Sequence, residues 1–119
     1  MGRPVLVVEN DPGLLTVYDN VLQRCGCDMV GAPNYDEAVH LLERLTPEVV
    51  FLDMMLPGRN GDGVLAYIDQ APHLKRTRVV VVTSNVRFHQ LTEAYPGINF
   101  ILKPILPAQI RQFVQVAAV

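Results

Sequence analysis

Four stretches of apolar residues run directly into polar or charged side chains of complementary chemistry. These side chains are Glu9 and Asn10, Asp53, Thr83 and Ser84, and Lys103. Neighbouring carboxylates repel one another and favour a hard cation such as Mg²⁺, which prefers oxygen ligands. A hydroxyl and an ammonium suit the oxygens of a phosphoryl group, which a carboxylate can accept as an aspartyl phosphate. The residue types point to phosphoryl chemistry, provided that the fold brings them together.

Asp53 has the most informative surroundings of these side chains. The four apolar residues of 49–52 precede it, and Leu56-Pro57-Gly58 follows soon after. A short continuous apolar run is typical of a strand buried on both faces of a parallel sheet, and Pro-Gly predicts a loop. Asp53 is therefore expected at the C-terminal end of a central strand, where ligands bind in such sheets. Taken alone, it could equally be a capping or loop aspartate.

Strand and helix patterns alternate along the chain. Strands are predicted at residues 4–8, 27–32, 48–52, 78–82 and 99–102. Helices are predicted at about 12–25, 35–45, 64–70, 86–95 and 107–119. Five strand–helix repeats predict an α/β fold with one parallel sheet and helices on both faces. The carboxyl ends of all strands then share one edge, which brings the polar side chains together.

Local signals support the helix boundaries. Asp11 is a good N-cap with Pro12 in the first turn, and Gly26 suits the C-terminal end of that helix. Asn34 with Glu37 resembles a capping box at the start of the second helix.

The first helix carries two apolar stripes. The stripe expected in the core comprises Leu15, Tyr18, Leu22 and Cys25, and the second comprises Leu14, Val17 and Val21. One stripe is enough to bury a helix, so the second is a candidate contact surface. The alternative is that this helix is simply well buried.

Composition limits the function classes. The chain has 119 residues, half of them hydrophobic, and a net charge of −2, which gives no reason to expect nucleic-acid or membrane-surface binding. No apolar run approaches the ~20 residues of a membrane span, and the N-terminus does not look like a signal peptide. Cys25 and Cys27 lack zinc-site partners and are interpreted as reduced thiols of a cytoplasmic protein.

Four motifs together resemble the receiver domain of two-component response regulators. They are Val-Leu-Val-Val-Glu-Asn-Asp-Pro at 5–12, Val-Val-Phe-Leu-Asp-Met-Met-Leu-Pro-Gly-Arg-Asn-Gly at 49–61, Val-Val-Val-Val-Thr-Ser at 79–84 and Asn-Phe-Ile-Leu-Lys-Pro-Ile at 99–105. The resemblance covers the whole chain and implies a flavodoxin-like, doubly wound sheet of five parallel strands in the order 2-1-3-4-5, flanked by five helices. Residues 1–119 are expected to form one receiver domain without an effector domain.

The resemblance implies roles for the residues of the site. Asp53 corresponds to the phosphoacceptor, and Lys103 to the lysine that pairs with the phosphoryl group. Glu9 and Asn10 fall on the acidic pair that holds Mg²⁺, and Met55 falls where a backbone carbonyl completes the metal site.

Further positions correspond to the switch and to the kinase-docking surface. Thr83 resembles the switch hydroxyl, Phe100 falls on the aromatic switch position, and the bond before Pro104 is cis in the family. Docking on a histidine kinase is expected at Leu14, Val17, Pro104, Ile105 and Leu106.

Two positions depart from the family pattern. Asn10 replaces a carboxylate that usually ligates the metal, so Mg²⁺ binding is expected to be weak. Leu106 stands where the last helix needs a cap, and leucine is a poor one.

The resemblance predicts a signal receiver that takes a phosphoryl group from a histidine kinase or phosphotransfer domain. It is not an enzyme in the usual sense, although it assists its own phosphorylation and dephosphorylation. The surface of the fourth helix, fifth strand and fifth helix then switches toward a downstream protein or effector domain, with a homodimer as an open alternative. A second hypothesis, motivated by Asn10, is a phosphorylation-independent interaction module.

Unrelated α/β proteins fit less well. A haloacid-dehalogenase-like phosphatase needs an aspartate two residues after the nucleophile, where this chain has Met55. A flavodoxin needs a phosphate-cradling loop after the first strand, and the acidic side chains there would repel FMN phosphate.

Overall fold

A computed structural model describes residues 3–114 of the chain. The strands are β1 (Arg3–Val8), β2 (Cys27–Ala32), β3 (Val49–Asp53), β4 (Arg78–Thr83) and β5 (Asn99–Leu102). The helices are α1 (Pro12–Arg24), α2 (Tyr35–Leu42), α3 (Asp62–Gln70), α4 (Leu91–Ala94) and α5 (Pro107–Val114). Two 3₁₀ turns, Pro72–Leu74 and Val86–Gln90, complete the element order. The predicted alternation of strands and helices is confirmed.

All five strands pair in parallel in the order β2-β1-β3-β4-β5, as the family resemblance implies. Successive side chains of a strand point to opposite faces, so a sheet covered on both sides needs apolar residues at every position. On β1, Leu6 and Val8 belong to one hydrophobic cluster, whereas Val5 and Val7 belong to the other. The continuous valine and leucine runs of the sequence follow from this two-sided burial.

Helices cover each face of the sheet. The first cluster joins α2 and α3 to the sheet through Ala38, Leu42, Leu65 and Ile68. The second joins α1 and α5 through Tyr18, Leu22 and Ile110. Both clusters include residues of the central strands, so β3, which ends in Asp53, is buried along its whole length.

The predicted caps are present. Asp11 accepts the N–H of Gly13 at 2.9 Å with Pro12 in the first turn of α1, and Gly26 adopts a φ of 74° after that helix. Asn34 accepts the N–H of Glu37 at 2.9 Å and donates to its carboxylate at 3.0 Å.

Some predicted boundaries were wrong. The fourth helix was predicted at 86–95, but a 3₁₀ turn fills most of that range and α4 spans only Leu91–Ala94. Valine, phenylalanine and histidine there are weak helix formers, and Pro96-Gly97 ends the segment. α2 ends at Leu42 rather than at about 45, although the backbone N–H groups of Glu43 and Leu45 still donate to the carbonyls of Val39 and Leu41. The end of the last predicted helix, 115–119, lies outside the described residues.

No helix within residues 3–114 is long and apolar enough to cross a membrane.

Candidate functional site

The parallel sheet brings the carboxyl ends of β1, β3, β4 and β5 to one edge. The ammonium of Lys103, which follows β5, lies 3.0 Å from Oε1 of Glu9 and 3.3 Å from Oδ2 of Asp53. The ammonium of Lys103 is thus shared between two carboxylates that lie at the ends of two different strands. The three residues are separated by up to 94 positions in sequence, and only the sheet order makes them neighbours.

Backbone groups hold the other oxygen of each carboxylate. Oε2 of Glu9 accepts the N–H of Asp11 at 3.1 Å, and Oδ1 of Asp53 accepts the N–H of Met55 at 3.1 Å. Glu9 and Asp53 are only 3% and 5% exposed, so these contacts replace water that burial has removed. Both carboxylates are therefore fixed in orientation before any ligand arrives.

The electrostatics of the site reflect this burial. Burial raises the pKa of Asp53, and the Glu9 carboxylate adds to that rise, whereas the Met55 N–H and the Lys103 ammonium oppose it. Burial works against a charged Lys103, but its hydrogen bond to Glu9 and both carboxylates raise the pKa of the ammonium above its ordinary value. Burial and the same two carboxylates also raise the pKa of Tyr18, which lies beneath the site. The site is an acidic pair balanced by one cation.

Thr83 ends β4 beside this cluster. Its side chain is fully buried, and its hydroxyl accepts the N–H of Asn85 at 3.2 Å. Its carbonyl accepts the backbone N–H of Lys103 at 2.8 Å, so β4 and β5 are tied together where their functional side chains begin. The peptide bond between Lys103 and Pro104 is cis, as the family resemblance implies.

Phe100 lies on β5, farther from the carboxylates. It is half-buried, and its ring meets the ring of His89 edge-on at a centroid distance of 5.0 Å. Both rings line a cavity of about 450 Å³ together with Val86 and Leu102, which are 65% and 46% exposed. The aromatic residue thus has open space next to it, on the surface formed by the 3₁₀ turn, β5 and α5.

The donor set at the edge suits a hard divalent cation but carries little charge. Asn10 is exposed directly after Glu9, and among residues 3–114 no group of three or more acidic, histidine or cysteine side chains gathers around a common point. Two carboxylates, an amide oxygen and the carbonyl of Met55 are all oxygen donors of the kind that Mg²⁺ accepts. The residues fit such a cation with one formal charge fewer than an aspartate at position 10 would give.

The residues expected at the docking surface differ in exposure. Val17, Leu106 and Pro104 are exposed, with 38% of Val17 and 55% of Leu106 accessible. Leu14 is half-buried against the second cluster, and Ile105 is only 5% exposed and belongs to that cluster. Ile105 therefore anchors the β5–α5 loop in the core and does not offer its side chain to a partner, which corrects that part of the expectation.

A polar contact offsets the poor cap at Leu106. Its backbone N–H donates to the side chain of Gln109 at 2.8 Å. This is one of the two contacts of a capping box; the other needs a polar side chain at the N-cap, which leucine lacks. The start of α5 is held, and the leucine side chain stays free for contact.

Sequence reasoning missed some contacts that shape the site. The hydrogen bonds from Asp11 to Glu9 and from Met55 to Asp53 both span two residues, a local turn pattern that an acidic side chain before a loop favours. Gly61 was interpreted only as a turn signal. A Cβ there would lie 2.6 Å from the backbone oxygen of Asp53, so glycine allows the loop to close against the end of β3.

Comparison with known sequences identifies the family. The model of the response regulator receiver domain matches residues 5–115. The chain belongs to this family of two-component signalling modules, whose members accept phosphoryl groups rather than acting as enzymes in the usual sense. It is 38% identical over 110 residues to the DNA-binding response regulator MtrA of Mycolicibacterium smegmatis, covering 92% of this chain and 48% of MtrA.

A second relative is the phosphate regulon transcriptional regulatory protein PhoB of Escherichia coli, 28% identical over 112 residues, or 92% of this chain and 49% of PhoB. The chain spans about half the length of these relatives.

Solved structures share the fold. A response regulator from Burkholderia pseudomallei, with a phosphorylated aspartic acid, a calcium ion and citrate, superposes with a TM-score of 0.82 at 21% identity, covering 96% of this chain and 67% of that one. The receiver domain of a sensor histidine kinase from Pseudomonas aeruginosa, with a magnesium ion in its active-site cleft, gives 0.79 at 22% identity, covering 96% and 98%.

Proposed function

We propose that this receiver domain accepts a phosphoryl group on Asp53 from a histidine kinase or a phosphotransfer domain. The observation that supports it best is the shared ammonium of Lys103, 3.0 Å from Glu9 and 3.3 Å from Asp53. A partly exposed lysine between two buried carboxylates from different strands places positive charge where a phosphoryl group on Asp53 would add negative charge. A site that had lost this chemistry would have no need to bury two carboxylates side by side.

In the transfer, an oxygen of Asp53 bonds to phosphorus while the bond from phosphorus to the donor nitrogen breaks. The electron pair of the broken bond stays on the donor imidazole. Positioning and charge neutralisation supply most of the catalysis in such reactions. Met55 fixes the carboxylate through Oδ1, and Lys103 faces Oδ2, so the orientation of the nucleophile is set in advance. Mg²⁺, held by Glu9, Asn10, Asp53 and the Met55 carbonyl, supplies further charge neutralisation when bound.

Asn10 makes this metal site a weak one. Its amide oxygen can coordinate a cation but contributes no charge. Lys103 already balances part of the charge of Glu9 and Asp53, so the site does not depend on a cation to hold the two carboxylates together. Occupancy is therefore expected to need more Mg²⁺ than a receiver with an aspartate at position 10 requires.

The output of phosphorylation is proposed to be a change in the surface of α4, β5 and α5. The Thr83 hydroxyl turns toward the phosphoryl group, and Phe100 follows into the space that this movement opens. The cavity of about 450 Å³ beside Phe100 and His89 opens to the surface next to the exposed Val86 and Leu102, so it marks the side that the ring would leave. The exposed apolar side chains of Val86 and Leu102 on this surface suit a downstream protein, an effector domain or a second copy of the chain. A cytoplasmic location remains the prediction from the sequence.

A second candidate function follows from the same asparagine. A receiver that never accepts a phosphoryl group could keep the fold as an interaction module, and the uncharged Asn10 favours it. The convergence of Asp53, Glu9 and Lys103 favours phosphorylation instead.

Mass spectrometry after incubation with acetyl phosphate and millimolar Mg²⁺ separates the two. The wild type is expected to gain the mass of one phosphoryl group, and Asp53→Asn to gain none. Asp69→Asn, an exposed carboxylate on α3, is the matched control and keeps the gain. No gain in the wild type at saturating donor and Mg²⁺ would favour the interaction module.

A further inference from the structure

An arginine of the β3–α3 loop stacks on a tyrosine of a different element. The guanidinium carbon of Arg59 lies 3.8 Å from the ring centroid of Tyr35, the first residue of α2. This distance is well inside the roughly 6 Å limit for a cation–π interaction and corresponds to direct stacking. Tyr35 is half-buried and packs against the first hydrophobic cluster, so the arginine rests on a fixed surface.

Gly63, in the first turn of α3, leaves room for this stack. A Cβ at that position would lie 2.9 Å from Cε1 of Tyr35 and 3.1 Å from Nε of Arg59. Its φ is not in the left-handed region, so backbone conformation does not require glycine there. Glycine is favoured there because the side chains of Tyr35 and Arg59 approach closely the place that a Cβ would occupy. Three elements therefore meet at one point: the start of α2, the loop tip and the start of α3.

The loop that the stack fastens begins at the phosphoacceptor. Its first part is anchored by Met54 and Leu56, which are 0% and 7% exposed, and its last part by the hydrogen bond from Gly61 N–H to the Met54 carbonyl at 3.0 Å. Residues 57–60 between these anchors are exposed. Arg59 is the longest side chain of that tip, and it reaches back to the body of the domain.

We propose that Arg59 and Tyr35 are positioning residues for phosphoryl transfer, a role that rests on the proposed function of Asp53. Met55 is itself exposed between the buried anchors Met54 and Leu56. By holding the tip that follows Leu56 against α2, the stack limits the loop opening that would take the Met55 N–H away from Oδ1 of Asp53. Neither side chain touches the reacting atoms. Without the stack, the tip swings away, Met55 leaves the carboxylate for part of the time, and the nucleophile loses its fixed orientation.

Two readouts test the proposal on ¹⁵N-labelled protein. The first is amide hydrogen exchange at Met55, which needs no phosphoryl donor, and the second is the rate of phosphorylation by acetyl phosphate. Arg59→Ala and Tyr35→Ala are each expected to speed Met55 exchange and to slow phosphorylation by roughly two- to thirty-fold, the range that a cation–π contact supports. The double variant is expected to be no slower than either single variant, because both remove one interaction.

Conservative variants and a charge control make the test specific. Tyr35→Phe keeps the aromatic ring, so it is expected to show the wild-type Met55 exchange rate and the wild-type phosphorylation rate. Arg44→Ala removes an exposed arginine from the segment after α2, where it contacts His40 at 2.8 Å, and is expected to leave both unchanged. Gly63→Ala places a methyl group against the stack while Arg59 and Tyr35 stay unchanged, and it is expected to reproduce the Arg59→Ala effects.

The proposal is overturned if Met55 exchange in Arg59→Ala matches that of Arg44→Ala. It is also overturned if the variants lose stability in urea while exchange at Met55 and the acetyl phosphate rate stay unchanged, since the stack would then be only structural. Slower transfer from a kinase with an unchanged acetyl phosphate rate would assign Arg59 to docking and overturn it too. A wild type that takes no phosphoryl group would overturn the proposed function, while Met55 exchange would still decide whether the stack holds the loop.

Discussion

At the scale of single residues, the site contains few charged groups, and the negative charges exceed the positive charge by only one. Glu9 and Asp53 carry two negative charges, and the ammonium of Lys103 touches both. An aspartate at position 10 would add a third negative charge that the lysine could not balance, and a cation would then be needed. Asn10 carries no such charge, which is the basis of the proposal that the site depends less on a metal ion.

Replacing Asn10 by aspartate is therefore expected to tighten Mg²⁺ binding. A nearby carboxylate contributes roughly 1–4 kcal/mol of attraction to a unit charge at about 4 Å, depending on the effective dielectric. Since ~1.4 kcal/mol is tenfold in affinity, a gain of about one order of magnitude or more is expected. Calorimetric titration of both proteins with Mg²⁺ measures it. Equal affinities would show that position 10 is not a metal ligand.

The buried carboxylate of Asp53 is expected to cost stability at neutral pH. Burial raises the pKa of Asp53, so the folded state binds its proton more tightly than the unfolded state does. The stability that this proton contributes is present below the unfolded value of 3.8 and is lost as the pH rises through the higher folded pKa. Asp53→Asn removes the ionisation and is expected to unfold at a higher urea concentration than wild type at pH 7.

The advantage of Asp53→Asn over wild type is expected to shrink as the pH falls toward 4. Urea titrations between pH 4 and 7 measure it, with the exposed Asp69→Asn as the charge-matched control. A variant that is less stable than wild type at pH 7 would show that the contacts of Asp53 with Lys103 and Met55 outweigh its burial.

Residue types in the site could be predicted because each follows an apolar run, which fixes its place at the sheet edge. Which atoms meet could not be predicted in this way. Lys103 lies 94 residues from Glu9, and the contact depends on sheet order and side-chain conformation together. The stack of Arg59 on Tyr35 has no periodic signal at all, because it joins a loop tip to the start of a helix.

At the scale of elements, α1 turns one face to the core and leaves another partly exposed. Tyr18 and Leu22 of the predicted core stripe are fully buried, whereas its other members, Leu15 and Cys25, are only half-buried. Leu14 and Val21 of the second stripe are half-buried too. Val17 is the exposed member of that stripe and lies beside Arg24 and Pro107 at a cleft of about 270 Å³ between α1 and α5. The second stripe is therefore part packing and part surface.

Val17→Ala is expected to slow phosphoryl transfer from the cognate kinase and to leave the acetyl phosphate rate unchanged. Its unfolding free energy should change by less than about 0.5 kcal/mol, as for most surface positions. Leu22→Ala, fully buried on the same helix, is the contrasting variant and is expected to lose about 2–5 kcal/mol. A Val17→Ala variant with normal kinase transfer would remove α1 from the docking surface.

Elements with strong periodicity were predicted well, whereas α4 was not. The strands β1, β3 and β4 contain continuous apolar runs, and α1 has both an N-cap and a C-terminal glycine. The segment from Val86 to Tyr95 has a capping asparagine but weak helix formers, and none of its described helical residues is fully buried. Neither the helix propensity of these residues nor their packing is enough to form a regular helix over the whole segment. The prediction from sequence pattern alone therefore made the fourth helix too long.

At the scale of the whole molecule, the site and the output surface lie on adjoining parts of one sheet. Thr83 pairs with Leu102 across β4 and β5, and Phe100 stands two residues before Leu102. The proposed switch from Thr83 to Phe100 therefore has to cross only from β4 to its neighbour β5. None of the described helical residues of the α4 segment is fully buried, so its rearrangement would disturb less core packing than a movement of α1 or α3.

Phe100 is expected to leave His89 when Asp53 is phosphorylated. The two rings now meet edge-on at 5.0 Å on the surface side of β5, and movement of Phe100 inward toward Thr83 would gain burial and break this contact. Aromatic NMR spectra with and without beryllofluoride, a phosphoryl mimic, measure it as loss of the nuclear Overhauser effect between the rings. Phe51, buried at 1% exposure in the other cluster, is the internal control. Identical Phe100 environments in both states would count against this switch.

The most direct test of the central claim identifies the modified residue itself. Protein treated with acetyl phosphate and Mg²⁺ is reduced with borohydride, which converts an aspartyl phosphate to homoserine, and its peptides are sequenced by mass spectrometry. Homoserine is predicted at position 53 and at no other acidic residue, and it is predicted to be absent when the donor is omitted. Homoserine at Glu9 or at an exposed aspartate, with residue 53 unchanged, would contradict the assignment of Asp53 as the phosphoacceptor.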